Sequence, residues 1–390
     1  MLKEASALGR AGHRVTVLTV ASQERYEAFD RKILAGAPFR KIAVDHASRD
    51  WLSLARSLPG RFATRLARRA AHYGLKSAQS LGPAGALARR ARSLRADLTI
   101  VHNELGLRVG VERIRNGGRV AADIEDWHSR DLLPSAQISR PIRLLERWEG
   151  FLLRRAAYAS TTSLAMASAL QAAYGGNLPV VIRNSFPIQP DPAALPHPGP
   201  PAFFWFSQTI GPGRMLEPFM DAWLLTRLPS RLCLLGEIDP AYRQALMSRA
   251  TAERRDRVEI LPVVPPWELP TLIARHDIGL AIEEPVPDNR NYTVSNKILQ
   301  YMNAGLAILA TGTAGQREVL AQAPGAGLIA NPGEPGELAA MLDGLIAGPE
   351  RVAAMGAAAR RAAEAVFCWE RDEPRLLAAV ATALESPPPA

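Results

Sequence analysis

The chain has 390 residues, 47% apolar and 22% charged, with a formal net charge of +9. These are the proportions of a globular protein, and no uncharged apolar run reaches the 18 residues a spanning helix needs. Cys233 and Cys368 lie far apart with neither metal-ligand spacing nor a CxxC context, which excludes a disulfide framework and makes both packing residues of a reducing compartment.

The opening, MLKEASALGRAGHRVTVLTV, places Leu2, Ala5, Leu8 and Ala11 at helical spacing, with Gly12 where a C-cap belongs. VTVLTV (15–20) then reads as a buried parallel strand. A strand ordinarily precedes such a helix, so the expectation is that the first strand of this domain, and the loop after it, are missing from this chain. The opening has no charged-then-apolar leader pattern.

FRKIAVD (39–45) is the next predicted strand. From Arg49 to Arg95 there are ten arginines and one lysine against a single acid, Asp50. That segment carries as much charge as the whole chain, so the remainder is near neutral. In LPGRFATRLARRAAHYG and ALARRARSLR the arginines interleave with Leu, Phe and Ala at helical spacing. Basic amphipathic helices of this kind suit an anionic bilayer surface, the expected partner of residues 49–95. A solvated charged face is the plainer reading. Aromatic interleaving is thin and no nucleic-acid motif occurs, so no nucleic acid is expected.

DLTIVH (97–102), RVAADIE (119–125), YASTTS (158–163) and PVVIRN (179–184) continue the strand series, with helices such as RLLERWEGFLLRRA (143–156) between them. The alternation means βαβ units and a parallel sheet. His102, Asn103 and Glu104 follow one strand end, and Asp126 and His128 follow the next. In parallel sheets such positions face the ligand edge.

SFPIQPDPAALPHPGPP (185–201) holds seven prolines in 17 residues and is read as an interdomain linker. A second series follows: AFFWFS (202–207), RLCLLG (231–236), RVEILP (257–262), DIGLAIE (277–283), LAILAT (306–311) and GAGLIA (325–330). Two alanine-rich helices over 335–366 and WERDEPRLLAAVATALE end the chain. The fold class is therefore α/β, two doubly wound Rossmann-like domains facing a cleft. The domains are 1–184 (N-terminal, acceptor side, with a truncated start) and 202–372, followed by a C-terminal helix and tail at 373–390.

SNKILQYMNAGLAILATGTAGQREVL (295–320) begins two helices one strand apart. Ser295 or Thr293 caps the first, Lys297 lies in its first turn, and Asn296 and Gln300 share a face. Gly305 ends it, and Gly312 and Gly315 flank the second start. Two helix N-termini on one sheet edge offer unpaired N–H groups and partial positive charge, suited to a diphosphate. Most helix starts of α/β domains bind nothing, so the physics alone leaves this open.

The ordered set FSQTIGPGRMLEPF, VEILPVVPPWELPTLIARHDIGLAI and SNKILQYMNAGLAILATGTAGQREVL resembles the C-terminal domain of GT-B glycosyltransferases of the group 1 type, family 4. GHRVTVLTV, DLTIVHNEL, DIEDWHSRD and RRAAYASTTSLAMASALQAAYGGNLPVVIRNSFP match its N-terminal half, so the resemblance covers about 15 to 370. It implies transfer of a sugar from a nucleotide-diphosphate donor to a hydroxyl of a saccharide or lipid-linked acceptor, with retention of configuration. No cofactor and no metal are implied beyond the donor itself. By position, Arg214 and Gly211 in the GPGR turn join Lys297 and Ser295 at the donor diphosphate. The family's acidic pair for ribose and sugar falls on Tyr292 and Gln300, beside Thr293 and Asn296, so both carboxylates are absent. The resemblance makes His102 functional, with Glu104 as its catalytic companion and Asn103, Asp126 and His128 on the acceptor side. Rival readings are a GT-B protein that holds a nucleotide sugar without turnover, and a sugar-nucleotide epimerase using Glu104 and Asp126. The expected location is cytoplasmic, at the inner face of the plasma membrane.

Overall fold

A computed structural model describes residues 1–20, 30–31, 33–44, 51–138, 140–190, 199–331 and 333–386, with the side chains of 51–59 and 135 outside the description. Most of the proline-rich stretch, the segment after strand 15–20 and residues 45–50 fall outside it. The chain divides into two units, one of residues 1–182 with 373–390, the other of 183–372.

The second unit is a six-stranded parallel sheet. Its strands, numbered along the whole chain, are β7 (Ala202–Ile210), β8 (Arg231–Ile238), β9 (Val258–Leu261), β10 (Ile278–Ala281), β11 (Ala307–Thr311) and β12 (Gly327–Ala330), in spatial order β12-β11-β10-β7-β8-β9. The order reverses between β7 and β10, so this is the switch point where such sheets take ligands at the strands' carboxyl ends. AFFWF is buried on both faces. Phe203 and Trp205 join the core beneath Phe219, Trp223 and Leu342, while Phe204 and Phe206 face Tyr301, Ile298 and Phe367. Tyr301 is fully buried and its ring lies flat over β10, where a Cβ on Gly279 would come within 2.2 Å of it.

Residues 183–190, read from sequence as the strand end and linker start, pack into this unit. The Ser185 hydroxyl donates to Asp372 (2.7 Å), and Asn303 Nδ2 donates to the Pro187 carbonyl (2.7 Å). Proline density marked the irregular backbone, but the polar side chains that anchor it come from distant helices.

The first unit holds β1 (Val15–Val20) paired in parallel with β2 (Phe39–Val44). It also holds a four-stranded parallel sheet of β3 (Thr99–His102), β4 (Val120–Asp123), β5 (Tyr158–Thr161) and β6 (Val180–Val181) in chain order. The sequence led us to expect one doubly wound sheet. Here β1 and β3 are not hydrogen-bonded to each other, and a cavity of about 980 Å³ lies between them. Both cysteines are buried and without a disulfide, and burial pushes the Cys233 thiol up to about 12. Among the described residues no helix is long and apolar enough to cross a membrane.

Candidate functional site

In the second unit three charged groups converge at the switch point. Glu283 follows β10 directly. Its Oε1 accepts from Lys297 Nζ at 2.6 Å, and its Oε2 lies 3.7 Å from Arg214 NH1. Thr311, the last residue of β11, fixes the Glu283 backbone by accepting from its N–H (2.8 Å) and donating to its carbonyl (2.7 Å). Lys297 is buried, with its ammonium 5.3 Å from the centre of the Trp205 ring, whereas Arg214 is 35% exposed. The sequence places Lys297 as a cation available to a ligand. Its position in the first turn of the helix Asn296–Ala304 instead aims it inward at Glu283, a residue the sequence reading did not single out.

The two helix starts are adjacent. Ser295 Oγ accepts from Lys297 N (3.2 Å), capping its helix as the sequence indicated, and Thr313 Oγ1, which the sequence reading did not single out, accepts from Gln316 N (3.4 Å) and caps the second. Asn291 Oδ1 accepts from Ala314 N (3.0 Å). A Cβ on Gly315 would lie 2.4 Å from the Thr293 carbonyl, so only glycine lets the second helix start this close to the first. Gly211 has open space around it. Arg290 NH1 donates to the Gly213 carbonyl (2.6 Å) and holds the GPGR turn in place. Tyr292 ends the short helix Asp288–Tyr292, and Thr293 donates to Asn289 Oδ1 (2.9 Å). Gln300 is half-buried, one turn along the helix from exposed Asn296.

In the first unit, His102 and Asp123 end neighbouring strands and face each other in register. His102 Nδ1 lies 2.9 Å from Asp123 Oδ2, and Nε2 lies 3.4 Å from Glu4 Oε2. Ser160 donates to the other Asp123 oxygen (2.8 Å). Burial opposes the imidazolium, but the Asp123 hydrogen bond and the Glu4 charge outweigh it and raise the His102 pKa. Burial likewise opposes the Asp123 carboxylate, and the His102 and Ser160 bonds overcome it, so its pKa is lowered. Oxygen and nitrogen atoms of Glu4, His102 and Asp123 come within 4.8 Å of one another, the donor types of a divalent cation site, although here they engage each other.

Glu104 pairs with Arg140 at 2.6 Å, and Arg140 also reaches Asp131 at 3.5 Å. Burial raises Glu104 despite Arg140, and raises Asp131 to about 6. His128 is buried, and desolvation lowers its pKa. The loop carrying Asp126 and His128 is pinned by Glu149, which accepts from Ser129 N (3.0 Å), Ser129 Oγ (2.6 Å) and Tyr174 (2.8 Å). Asn103 has φ of 55°, and its Oδ1 accepts from the N–H groups of Leu105 (3.2 Å) and Gly106 (3.3 Å), opening the next helix. His102, Asn103, Glu104, Asp126 and His128 all border the 980 Å³ cavity. Asp123, Glu4, Asp131 and Arg140 were missed. Of these, Asp123 was legible, because aligning the ends of DLTIVH and RVAAD sets it opposite His102.

Two family models match the chain. Residues 1–184 match the glycosyl transferase 4-like domain, and residues 211–348 match glycosyl transferases group 1. No curated protein matches it in sequence. Among solved structures it is similar to HepE of Anabaena, crystallised with UDP and glucose, at 18% identity over 98% of this chain and 95% of that one, with a TM-score of 0.70. It is also similar to a glycosyltransferase from Rickettsia africae (14% identity, 98% and 94% covered, TM-score 0.69). A third is the sucrose-phosphate synthase of Thermosynechococcus elongatus (15% identity, 97% and 91% covered, TM-score 0.68).

Proposed function

We propose a specific reaction for a chain that belongs, through both of its matched domains, to the group 1 glycosyltransferases of GT-B fold: transfer of a sugar from a nucleoside-diphosphate donor to a hydroxyl of a saccharide or lipid-linked acceptor. The observation that carries the donor side is the gathering of Arg214, Lys297 and two adjacent helix N-termini at the switch point of one parallel sheet. Departure of a nucleoside diphosphate develops negative charge, and preorganised cations and amide dipoles stabilise it. Arg214 is the half-exposed cation and meets the diphosphate. Lys297 holds Glu283 and balances part of its charge. HepE with UDP and glucose supports a uridine nucleotide sugar as the first donor to try.

Gln300 is assigned to the ribose hydroxyls, as a neutral acceptor where a carboxylate would bind more strongly. Asn296, Tyr292 and Thr293 complete the sugar side. On the acceptor side the oriented His102 is the catalytic group, with Glu104, Asn103, Asp126 and His128 around it. Retention of configuration and a metal-independent departure of the diphosphate belong to the same reading, as does a role in cell-surface polysaccharide or glycolipid synthesis. Phe62 and Leu66 are 70% and 57% exposed on the basic helix Trp51–His72, among exposed Arg65 and Arg69. That favours peripheral attachment to an anionic bilayer at the cytoplasmic face.

The test is release of nucleoside diphosphate from a panel of sugar nucleotides, with and without acceptor extract on anionic vesicles. Acceptor-dependent release supports transfer. Tight binding without release would replace it with the non-catalytic reading, and a changed sugar without acceptor with an epimerase.

A further inference from the structure

We propose that Glu104, His128, Asp131 and Arg140 form a recognition subsite for the ring hydroxyls of a neutral acceptor sugar. Three stretches of the first unit deliver these groups to one place. Glu104 stands in the first turn of the helix Asn103–Arg115, which follows β3. His128 and Asp131 lie on the loop after β4, and Arg140 comes just before the helix Ile142–Arg155. Arg140 NH2 lies between the two carboxylates, 2.6 Å from Glu104 and 3.5 Å from Asp131. The Arg140 charge also acts on the His128 ring, which borders the same opening.

The cluster is short of partners within the protein. Asp131 Oδ1 and Arg140 Nε are shielded from solvent yet make no hydrogen bond among the described residues. His128 is only 9% exposed, and its ring nitrogens have no hydrogen-bond partner among the described residues either. Buried polar groups are normally paired, and a structural arginine–carboxylate pair closes with two parallel bonds. Here the Asp131 contact stays long, and an acceptor, a donor and an imidazole remain for a ligand. The Asp131 and Arg140 side chains are partly exposed, so a modest rotation presents both free atoms to it.

The chemistry of these atoms selects the ligand. Ionised Asp131 accepts, Arg140 donates, and a neutral imidazole does one of each. Burial lowers the His128 pKa, so its ring is neutral at pH 7. Adjacent sugar hydroxyls both donate and accept, and so match all three. A phosphate is a poor match, because Glu104, Asp131 and Asp126 outnumber Arg140 and Arg68 around the cluster. An alkyl chain would cover the polar atoms without pairing them, which is costly. The subsite therefore reads the sugar of an acceptor, not its lipid or phosphate part. Use of the bound sugar as acceptor rests on the proposed transfer reaction, whereas its binding does not.

NMR titration of the whole chain without donor tests this, following the His128 ring protons as methyl glycosides of glucose, galactose, mannose and N-acetylglucosamine are added. At least one glycoside should shift them saturably, a readout that needs no substitution. Asp131→Asn and Arg140→Lys should each weaken that glycoside by about tenfold or more, the loss expected of one charge-assisted hydrogen bond, with the melting temperature little changed. One of its monodeoxy analogues should lose as much. The proposal is overturned if no glycoside moves the His128 signals, if glucose 6-phosphate binds more tightly than glucose, or if Asp131→Asn binds the glycoside as the parent does. Saturable binding of a glycoside that no sugar nucleotide glycosylates supports the subsite and removes the transfer reading. Acceptor-dependent release of nucleoside diphosphate that both variants leave unchanged overturns the subsite and leaves transfer standing.

Discussion

His102 and Asp123 end adjacent parallel strands and meet side chain to side chain, Nδ1 to Oδ2 at 2.9 Å, because the register sets them directly opposite. Their pKa values are pushed apart, His102 upward and Asp123 downward. His102 contributes stability that is complete below its unfolded pKa of about 6.5 and is lost as pH rises through its raised folded value. Asp123 contributes stability present above about 3.9 and lost as pH falls through its lowered folded value. Asp123→Asn should leave only the Glu4 charge against burial and lower the His102 titration relative to the parent, read by NMR of the ring protons. A titration unchanged in the variant would mean that the Asp123 contact does not govern His102.

Glu283 and Lys297 form a buried pair, so removing Glu283 leaves Lys297 without its carboxylate, and removing Lys297 leaves Glu283 with only Arg214 at 3.7 Å. Glu283→Gln and Lys297→Met should each destabilise by about 3–5 kcal/mol, and the double variant by less than their sum. Urea denaturation of the four proteins measures this. Additive losses would show that the 2.6 Å contact contributes little.

Arg214 is exposed enough to be replaced without unfolding the chain. Arg214→Ala should weaken nucleotide-sugar binding by about 10–100-fold, the worth of a charge-assisted hydrogen bond, with the melting temperature little changed. Calorimetry with UDP-glucose reads the effect. Unchanged affinity would remove Arg214 from the diphosphate.

Gly315→Ala should destabilise by about 1–3 kcal/mol, since the new methyl meets the Thr293 carbonyl, and should weaken nucleotide binding by parting the two helix starts. Gly211→Ala, facing open space, serves as the control and should stay within about 0.5 kcal/mol of the parent.

The strands were legible because each is a short apolar run between turn signals. Their order along the chain also marked the parallel sheets. β7 and β8 run on to Ile210 and Ile238, beyond the predicted ends, because pairing resumes after an irregularity between Phe206 and Thr209. The short helix Asp288–Tyr292 carries too few residues for a periodic signal. Among site residues, the cap Ser295 was readable from local spacing alone. Glu283 was not, since its meaning lies in the cations that two other elements deliver to it. The arginine-rich segment was visible as charge, but only the fold separates exposed Phe62 and Leu66 from the buried Thr64 and Ala71 of the same helix.

The fit of Tyr301 over Gly279 limits how these two positions drift over generations. Any side chain at 279 collides with the phenol, and a smaller residue at 301 leaves a hole beneath Phe204 and Phe206. At 301 only another six-membered aromatic ring keeps the fit, so a lineage that gives up the ring must change Gly279 almost at once. Descendants of this gene should keep the glycine and an aromatic ring at 301 together or lose them together.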